Sequence, residues 1–247
     1  MFEKTFVIAH RGYSALFPEN TLAAFQGAIA AEAQMIELDV HLSRDGALIV
    51  THDFELGRTS NGKGKLSDLT SRELRSLDAG AWFSDFYKGE RFPALGEVLA
   101  MAKGKIQVNI ELKEETIRTD EARTNMVEKV LAMVRGHGML PQVLLSSFDW
   151  RALQRVRELD AGVRIGLLND DPDRGLRWDE ALPLKAHSYN PNQEKLNEDA
   201  AREIHSRGLK LYPYTANTPA EFRRLLQWGS DGIFTNEVEK LKAFLHH

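Results

Sequence analysis

Met35-Ile36-Glu37-Leu38-Asp39-Val40 begins the stretch on which the reading of this chain turns: residues 35–53 run MIELDVHLSRDGALIVTHD. Successive side chains of a strand point to opposite faces, so Glu37 and Asp39 share one face while Ile36, Leu38 and Val40 share the other. A second strand-like run, Ala47–Thr51, follows almost at once. A parallel crossover needs roughly a dozen residues or more. Leu42-Ser43-Arg44-Asp45-Gly46 must therefore be a hairpin turn, and Asp-Gly is good turn chemistry. The first strand ends, the chain doubles back, and the antiparallel return is expected to bring His52 beside Glu37.

On either side of this hairpin, short β-rich runs alternate with helical stretches. The expected strands are Thr5–Ala9, Met35–Val40, Lys105–Glu111, Gln142–Ser147, Val163–Leu168, Lys185–Tyr189, Leu209–Tyr214 and Gly232–Thr235. Between them, Thr21–Ala33 is rich in Ala and Leu, with Asn20 as its expected N-cap. Leu95–Ala102, Asp120–Val134 and Trp150–Leu159 carry apolar residues at helical spacing. Thr218-Pro219-Ala220-Glu221 is a capping box with Pro at the first helical position. This alternation predicts an α/β fold, a (β/α)8 TIM barrel, with an open doubly wound sheet as the rival. Residues 1–247 are expected to form one domain. Within it, 54–93 is a small insertion after barrel strand 2, on the top face. It holds a Gly-rich loop (Asn61–Gly64), a short helix near Ser71–Leu77 and an aromatic cluster, Trp82, Phe83, Phe86 and Tyr87. Those aromatics are expected mainly to pack the insertion's own core.

The bulk properties narrow the function classes. The net charge of -4 offers no basic field for nucleic acid or an anionic membrane. With no cysteine there is no disulfide, thiolate nucleophile or cysteine metal site. The apolar run Phe6–Ala9 is too short for a signal-peptide core, and no segment has the length of a bilayer span. A cytoplasmic protein without stable membrane association is expected.

Two carboxylates aimed into a barrel mouth repel each other unless something neutralises them. Glu111, ending the next barrel strand in NIELK, supplies a third at the same height. Glu37, Asp39 and Glu111 together make a hard, all-oxygen site suited to one divalent cation, Mg²⁺ or Ca²⁺, with Mn²⁺ also fitting, rather than to zinc. Lys113 lies on the same side as Glu111; its plain role is a salt bridge to one of these acids. His10 ends the first strand, where barrel enzymes keep catalytic groups. Arg11 beside it can grip phosphate oxygens with two donors. Two histidines, a cation site and basic residues describe attack at a phosphodiester, with His10 and His52 exchanging protons with nucleophile and leaving group.

The ordered set His10-Arg11-Gly12, Pro18-Glu19-Asn20-Thr21, Glu37-Leu38-Asp39, Asp45-Gly46, His52-Asp53 and Glu111-Leu112-Lys113 resembles the glycerophosphodiester phosphodiesterase family. Leu56-Gly57-Arg58-Thr59, Leu77-Asp78-Ala79-Gly80, Ser146-Ser147-Phe148 and Asp231–Asn236 extend the likeness along the chain. The resemblance implies a TIM barrel and a cation held by Glu37, Asp39 and Glu111. It implies acid–base roles for His10 and His52, and substrate phosphate held by Arg11 and Lys113. The implied partner is a small glycerophosphodiester, split to sn-glycerol 3-phosphate and an alcohol. Two positions depart from the family pattern, Tyr214 for Trp and Asn236 for Asp, and both are expected to lie away from the metal set. Three readings compete. A zinc amide hydrolase could use Asp39 and His41, but its paired strand-1 histidines would fall on His10 and Gly12. A non-catalytic barrel would lack an acid or a histidine, and none is missing. Action on lysophospholipids is the closest alternative.

Overall fold

The run Phe6–Ala9 is buried along almost its whole length because strands from both sides cover it. This is β1, and it pairs in parallel with β2 (Met35–Leu42) and with β11 (Gly232–Thr235). The computed structural model describes residues 5–170 and 175–246. From β2 the parallel sheet continues through β6 (Gln107–Leu112), β7 (Val143–Ser147), β8 (Arg164–Asn169), β9 (Ser188–Pro191) and β10 (Lys210–Leu211). Backbone hydrogen bonds from Asp231 N–H to the Leu211 carbonyl and from Phe234 N–H to the Pro213 carbonyl draw β11 against the far edge. The result is a nearly closed barrel of eight parallel strands.

The helices between strands are α1 (Leu22–Ala30), α3 (Leu95–Ala102), α4 (Asp120–Gly136), α5 (Trp150–Leu159), the short α6 (Trp178–Ala181), α7 (Glu198–Ser206) and α8 (Pro219–Gln227), with α9 (Val238–Leu245) after β11. The expected period-2 pattern holds. Ile36, Leu38 and Val40 belong to the large cluster between sheet and helices, with Leu95, Val98 and Val130. The inward positions divide by height. Ile8, Met35, Leu144, Tyr212 and Phe234 fill the barrel with apolar side chains. Above them lie the charged residues of β2 and β6. α8 begins as the capping box requires: Glu221 N–H donates to Thr218 Oγ1 at 3.3 Å, and Thr218 N–H donates to the Glu221 carboxylate at 2.9 Å.

The hairpin forms where the turn chemistry puts it. β3 (Leu48–Val50) runs antiparallel to β2, with Val40 opposite Val50 and Leu42 opposite Leu48. Gly46 supplies the left-handed backbone of the turn, φ 73°. Residues 54–93 follow with β4 (Glu55–Leu56), β5 (Gly64–Lys65) and α2 (Ser71–Leu74), a shorter helix than the sequence suggests. Their core is mostly aliphatic and takes none of the expected aromatic cluster: Leu66, Leu74, Ala79 and Phe92 pack with Ile49 of the hairpin. The expectation for the aromatic cluster is corrected. Phe86 is 85% exposed and Trp82 40%. Phe83, Phe86 and Tyr87 touch edge to face at the surface, and the Tyr87 hydroxyl donates to the Leu16 carbonyl. Nothing in the local pattern of a loop separates a core aromatic from a surface one.

β10 is also shorter than expected; the chain leaves the sheet after Leu211 and passes through a cis peptide between Tyr214 and Thr215. β9 begins later than expected, because Lys185 takes a left-handed turn, φ 47°, before the strand starts.

Candidate active site

The carboxyl ends of the strands open into a cavity of about 630 Å³ lined by His10, Arg11, Glu37, His52, Glu111 and Lys113 among others. The sequence-predicted residues therefore converge, six on the wall and Asp39 buried behind it. Register explains the convergence. Asp39 stands opposite Glu111, and Glu37 opposite Asn109, on adjacent parallel strands. Each of Glu37, Asp39 and Glu111 offers a carboxylate oxygen within 4.8 Å of the others, and all three are buried. Asn109 adds a fully buried amide whose polar atoms have no hydrogen-bond partner.

The first turn after β1 is unusual for its residue types. Arg11 and Gly12 both adopt left-handed backbones, φ 58° and 81°. A Cβ on Gly12 would lie 2.7 Å from the Ala24 backbone, so only glycine fits. The turn lets the Arg11 N–H donate to Glu37 Oε2 at 2.9 Å. The Arg11 guanidinium lies 3.5 Å from Asp39 Oδ2 and 2.9 Å from Glu19 Oε1. Lys113 sits 2.9 Å from Glu111 Oε1 and 3.6 Å from Asp39 Oδ1. Asn20, expected as a helix cap, does something else: it is left-handed, φ 57°, and its amide donates to Asp39 Oδ2 at 2.8 Å. Thr21 caps α1 instead, accepting from Ala24 N–H at 3.2 Å.

The three acids are unequal. Burial would raise Asp39, but Arg11 and Lys113 outweigh it and hold the carboxyl well below its usual range. Burial raises Glu37 well above its range, helped by the charges of Asp39 and Glu111, and Arg11 compensates only partly. Glu111 is pushed up to about 7, by burial first, against the pull of Lys113. Lys113 stays charged, because Glu111 and Asp39 overcome the effect of burial. Glu37 has no ion-pair partner among the described residues. Three buried carboxylates against two cations form a set that is strained on its own, with hard oxygen donors converging: the donor chemistry fits a divalent cation.

The two histidines are supported differently. His10 Nδ1 lies 2.8 Å from Asn236 Oδ1, an amide oxygen also within 3.0 Å of the Ser14 hydroxyl. Burial, and then the Arg11 charge, lower His10 to about 4. His52 Nδ1 lies 2.7 Å from Asp53 Oδ1, a carboxylate. The return strand brings His52 down beside Asp39 and toward Glu37: Thr51 N–H donates to the Asp39 carbonyl at 3.1 Å. His41 Nε2 lies 2.9 Å from the His52 carbonyl, so its ring steadies the hairpin.

Asn236 and Tyr214, expected on the pocket wall apart from the metal acids, contribute to the site without joining the acid set. Asn236 holds His10, and Tyr214 lines the cavity with Phe148, the two rings edge to face at 5.9 Å. Glu19, Asn20, Asp53 and Arg58 are the polar partners that the sequence reading did not assign. They come from loops, where no periodicity marks them; only the family-like stretches around them were a signal.

The model of the glycerophosphoryl diester phosphodiesterase family matches residues 10–240. A glycerophosphodiester phosphodiesterase of Caldanaerobacter subterraneus is 36% identical over 243 residues, covering 96% of each chain. A Mycobacterium tuberculosis protein named "Probable glycerophosphodiester phosphodiesterase 1" is 52% identical over 257 residues, covering 97% of this chain and 92% of its own. Among solved structures, an Oleispira antarctica phosphodiesterase in complex with the product sn-glycerol-3-phosphate superposes with a TM-score of 0.90 at 28% identity, covering 99% of this chain and 98% of that one. With a family match over nearly its full length and a barrel shared with solved relatives, the chain belongs to the glycerophosphoryl diester phosphodiesterase family of enzymes.

Proposed function

We propose that the protein hydrolyses glycerophosphodiesters to sn-glycerol 3-phosphate and the free alcohol, with one divalent cation, Mg²⁺ or Ca²⁺ (Mn²⁺ also fitting), held by Glu37, Asp39 and Glu111. The observation that carries this reading is the meeting of three buried carboxylates, two cationic side chains and two unlike histidines at one cavity, all on its wall except Asp39 just behind it. The sn-glycerol-3-phosphate bound by the Oleispira relative supports the glycerol half of the substrate. A cation bound at the three acids would withdraw charge from the phosphate oxygens as the transition state forms.

The side chains of this protein do the rest. Arg11 and Lys113 bind the remaining phosphate oxygens; both already bridge the acids, so the charge is gathered before substrate arrives. His10, backed by a neutral amide and kept uncharged, takes a proton through Nε2 from the water that attacks phosphorus as the bond to the leaving alkoxide breaks. His52, backed by the Asp53 carboxylate, carries a proton on Nε2 and delivers it to the leaving alkoxide.

A second reading, action on lysophospholipids, draws on one observation: Leu16, Trp82 and Phe86 are exposed on the top-face loops. No helix among the described residues is long and apolar enough to cross a membrane. The test is to incubate cation-loaded and chelated protein with glycerophosphocholine, glycerophosphoethanolamine and a lysophospholipid, then measure glycerol 3-phosphate and alcohol release. Cation-dependent release from the water-soluble diesters is expected. Full activity after exhaustive chelation would sink the carboxylate site, and turnover of the lysophospholipid alone would favour the second reading.

A further inference from the structure

Arg58 stands in the insertion, just after β4, outside the cavity wall and outside the acid cluster. Its guanidinium nevertheless holds both arms of the site. Nε donates to Asp53 Oδ2 at 2.5 Å and Nη2 to Asp53 Oδ1 at 3.1 Å. Toward the other arm, Nη1 donates to Glu19 Oε2 at 3.0 Å and Nη2 to Glu19 Oε1 at 2.7 Å. Asp53 is the carboxylate behind His52, and Glu19 is the carboxylate behind Arg11. The chain of contacts is thus His52, Asp53, Arg58, Glu19, Arg11, ending at Asp39. Each link is 3.5 Å or less, and Asp53 and Glu19 are each shared between one functional residue and Arg58.

We propose that Arg58 is a positioning residue for the reaction: by clamping Asp53 and Glu19 with one planar fork, it fixes His52 relative to Arg11. The insertion then serves as the brace that holds the proton donor at the correct distance from the phosphate-binding cation. The contact pattern supports this over a plain surface pairing. Exposed ion pairs contribute little to stability, and Arg58 is itself exposed, but both of its partners are mostly buried and both point inward. A guanidinium can hold two carboxylates at once with defined angles, which an ammonium cannot. Misplacing a catalytic group by about 1 Å costs on the order of 10²-fold in rate.

The inference rests on His52 being the acid of the proposed reaction, and the test separates the two ideas. Arg58→Gln and Arg58→Lys are compared with the wild type on glycerophosphocholine, whose alkoxide needs a proton, and on bis(p-nitrophenyl) phosphate, whose leaving group does not. Arg58→Gln is expected to lower kcat on glycerophosphocholine by about 10–100-fold and on the aryl diester by less than about threefold. KM is expected to rise for both, because Arg11 is loosened as well. Arg58→Lys is expected to keep most of the defect, and melting temperatures are expected to stay close to wild type. An equal loss on the two substrates would overturn the proposal, as would a loss that follows a fall in melting temperature or full rescue by Lys. Wild-type protein inert on both substrates would instead overturn the functional reading on which the proposal rests.

Discussion

The two histidines at the mouth of the barrel face the same cavity, yet the protein surrounds them in opposite ways. His10 ends a central strand, is packed under Arg11, and has only the amide of Asn236 behind it. Burial and then the Arg11 charge oppose a second proton, and they outweigh the Asn236 hydrogen bond and the charges of Asp39 and Glu19, which favour one. His52 sits on the return strand of a hairpin, is half exposed, and has a carboxylate behind it that is itself locked by Arg58. Burial would raise Asp53, but its hydrogen bonds to Arg58 and His52 more than compensate and hold its carboxyl low. One arm keeps an imidazole neutral, and the other sets a carboxylate against the imidazole ring. In the proposed reaction the two identical side chains would serve as base and acid through these unlike partners, a general route by which one site does both kinds of proton transfer.

The largest test of that contrast removes each ring in turn. His10→Ala and His52→Ala are each expected to lower kcat/KM on glycerophosphocholine by about 10²–10⁴-fold. They should part on an activated aryl diester. His52→Ala is expected to recover most of its activity there, since the leaving group needs no proton, while His10→Ala stays impaired. Steady-state kinetics on both substrates checks this, and the reverse pattern of rescue would exchange the two roles.

Much of this site could be read in the sequence for a definite reason. Strand residues repeat with period 2, so Glu37, Asp39 and Glu111 declared a common face before any coordinates, and the short spacing between β2 and β3 forced the hairpin that returns His52. The contrast between the histidines could not be read, because it depends on partners that have no periodic relation to them. Asn236 lies 226 positions from His10, and Arg58 lies 39 positions from Glu19. Asn20 shows the same limit locally. It precedes a helix and has a capping side chain, but Thr21 has one too. The left-handed backbone that frees Asn20 to reach Asp39 is set by the barrel, not by its neighbours in the chain. The end of β10 was misjudged for a related reason: Tyr212 and Tyr214 favour a strand by residue type, yet the sheet pairing ends at Leu211.

A smaller effect sharpens the comparison by making the two arms alike. Asn236→Asp gives His10 a carboxylate partner like that of His52. An opposite charge within a few ångströms raises a histidine pKa, typically by about 1–3. His10 now lies at about 4. The acidic limb of kcat/KM, where the base becomes protonated, is therefore expected to move upward in pH, with activity at neutral pH changing much less. A full pH–rate profile of the variant checks this. An unmoved limb would mean that burial and Arg11 alone set the state of His10, and that the amide does not create the difference between the arms.

The smallest effect concerns the acids that lie between the two arms. Glu111 is raised from 4.5 to about 7 in the folded protein without a cation. A raised carboxyl binds its proton more tightly folded than unfolded, so it adds stability below about pH 4.5 and loses that contribution as pH climbs through about 7. Glu37 is shifted in the same direction and adds to the loss. Chelated protein is therefore expected to melt progressively lower as pH rises from 5 to 8, by on the order of 5 °C for a domain of this size. Protein saturated with Mg²⁺ or Ca²⁺ should be protected most at the upper end of that range, because the cation binds the ionised carboxylates and must displace their protons to enter. Paired melting curves with cation and with chelator, taken across the range, measure the gap. Glu111→Gln removes one of these carboxylates and is expected to narrow the gap at high pH without unfolding the barrel. A gap that stays constant with pH would mean that the acids are already ionised before the cation binds, and that the proton held at Glu111 plays no part in the coupling.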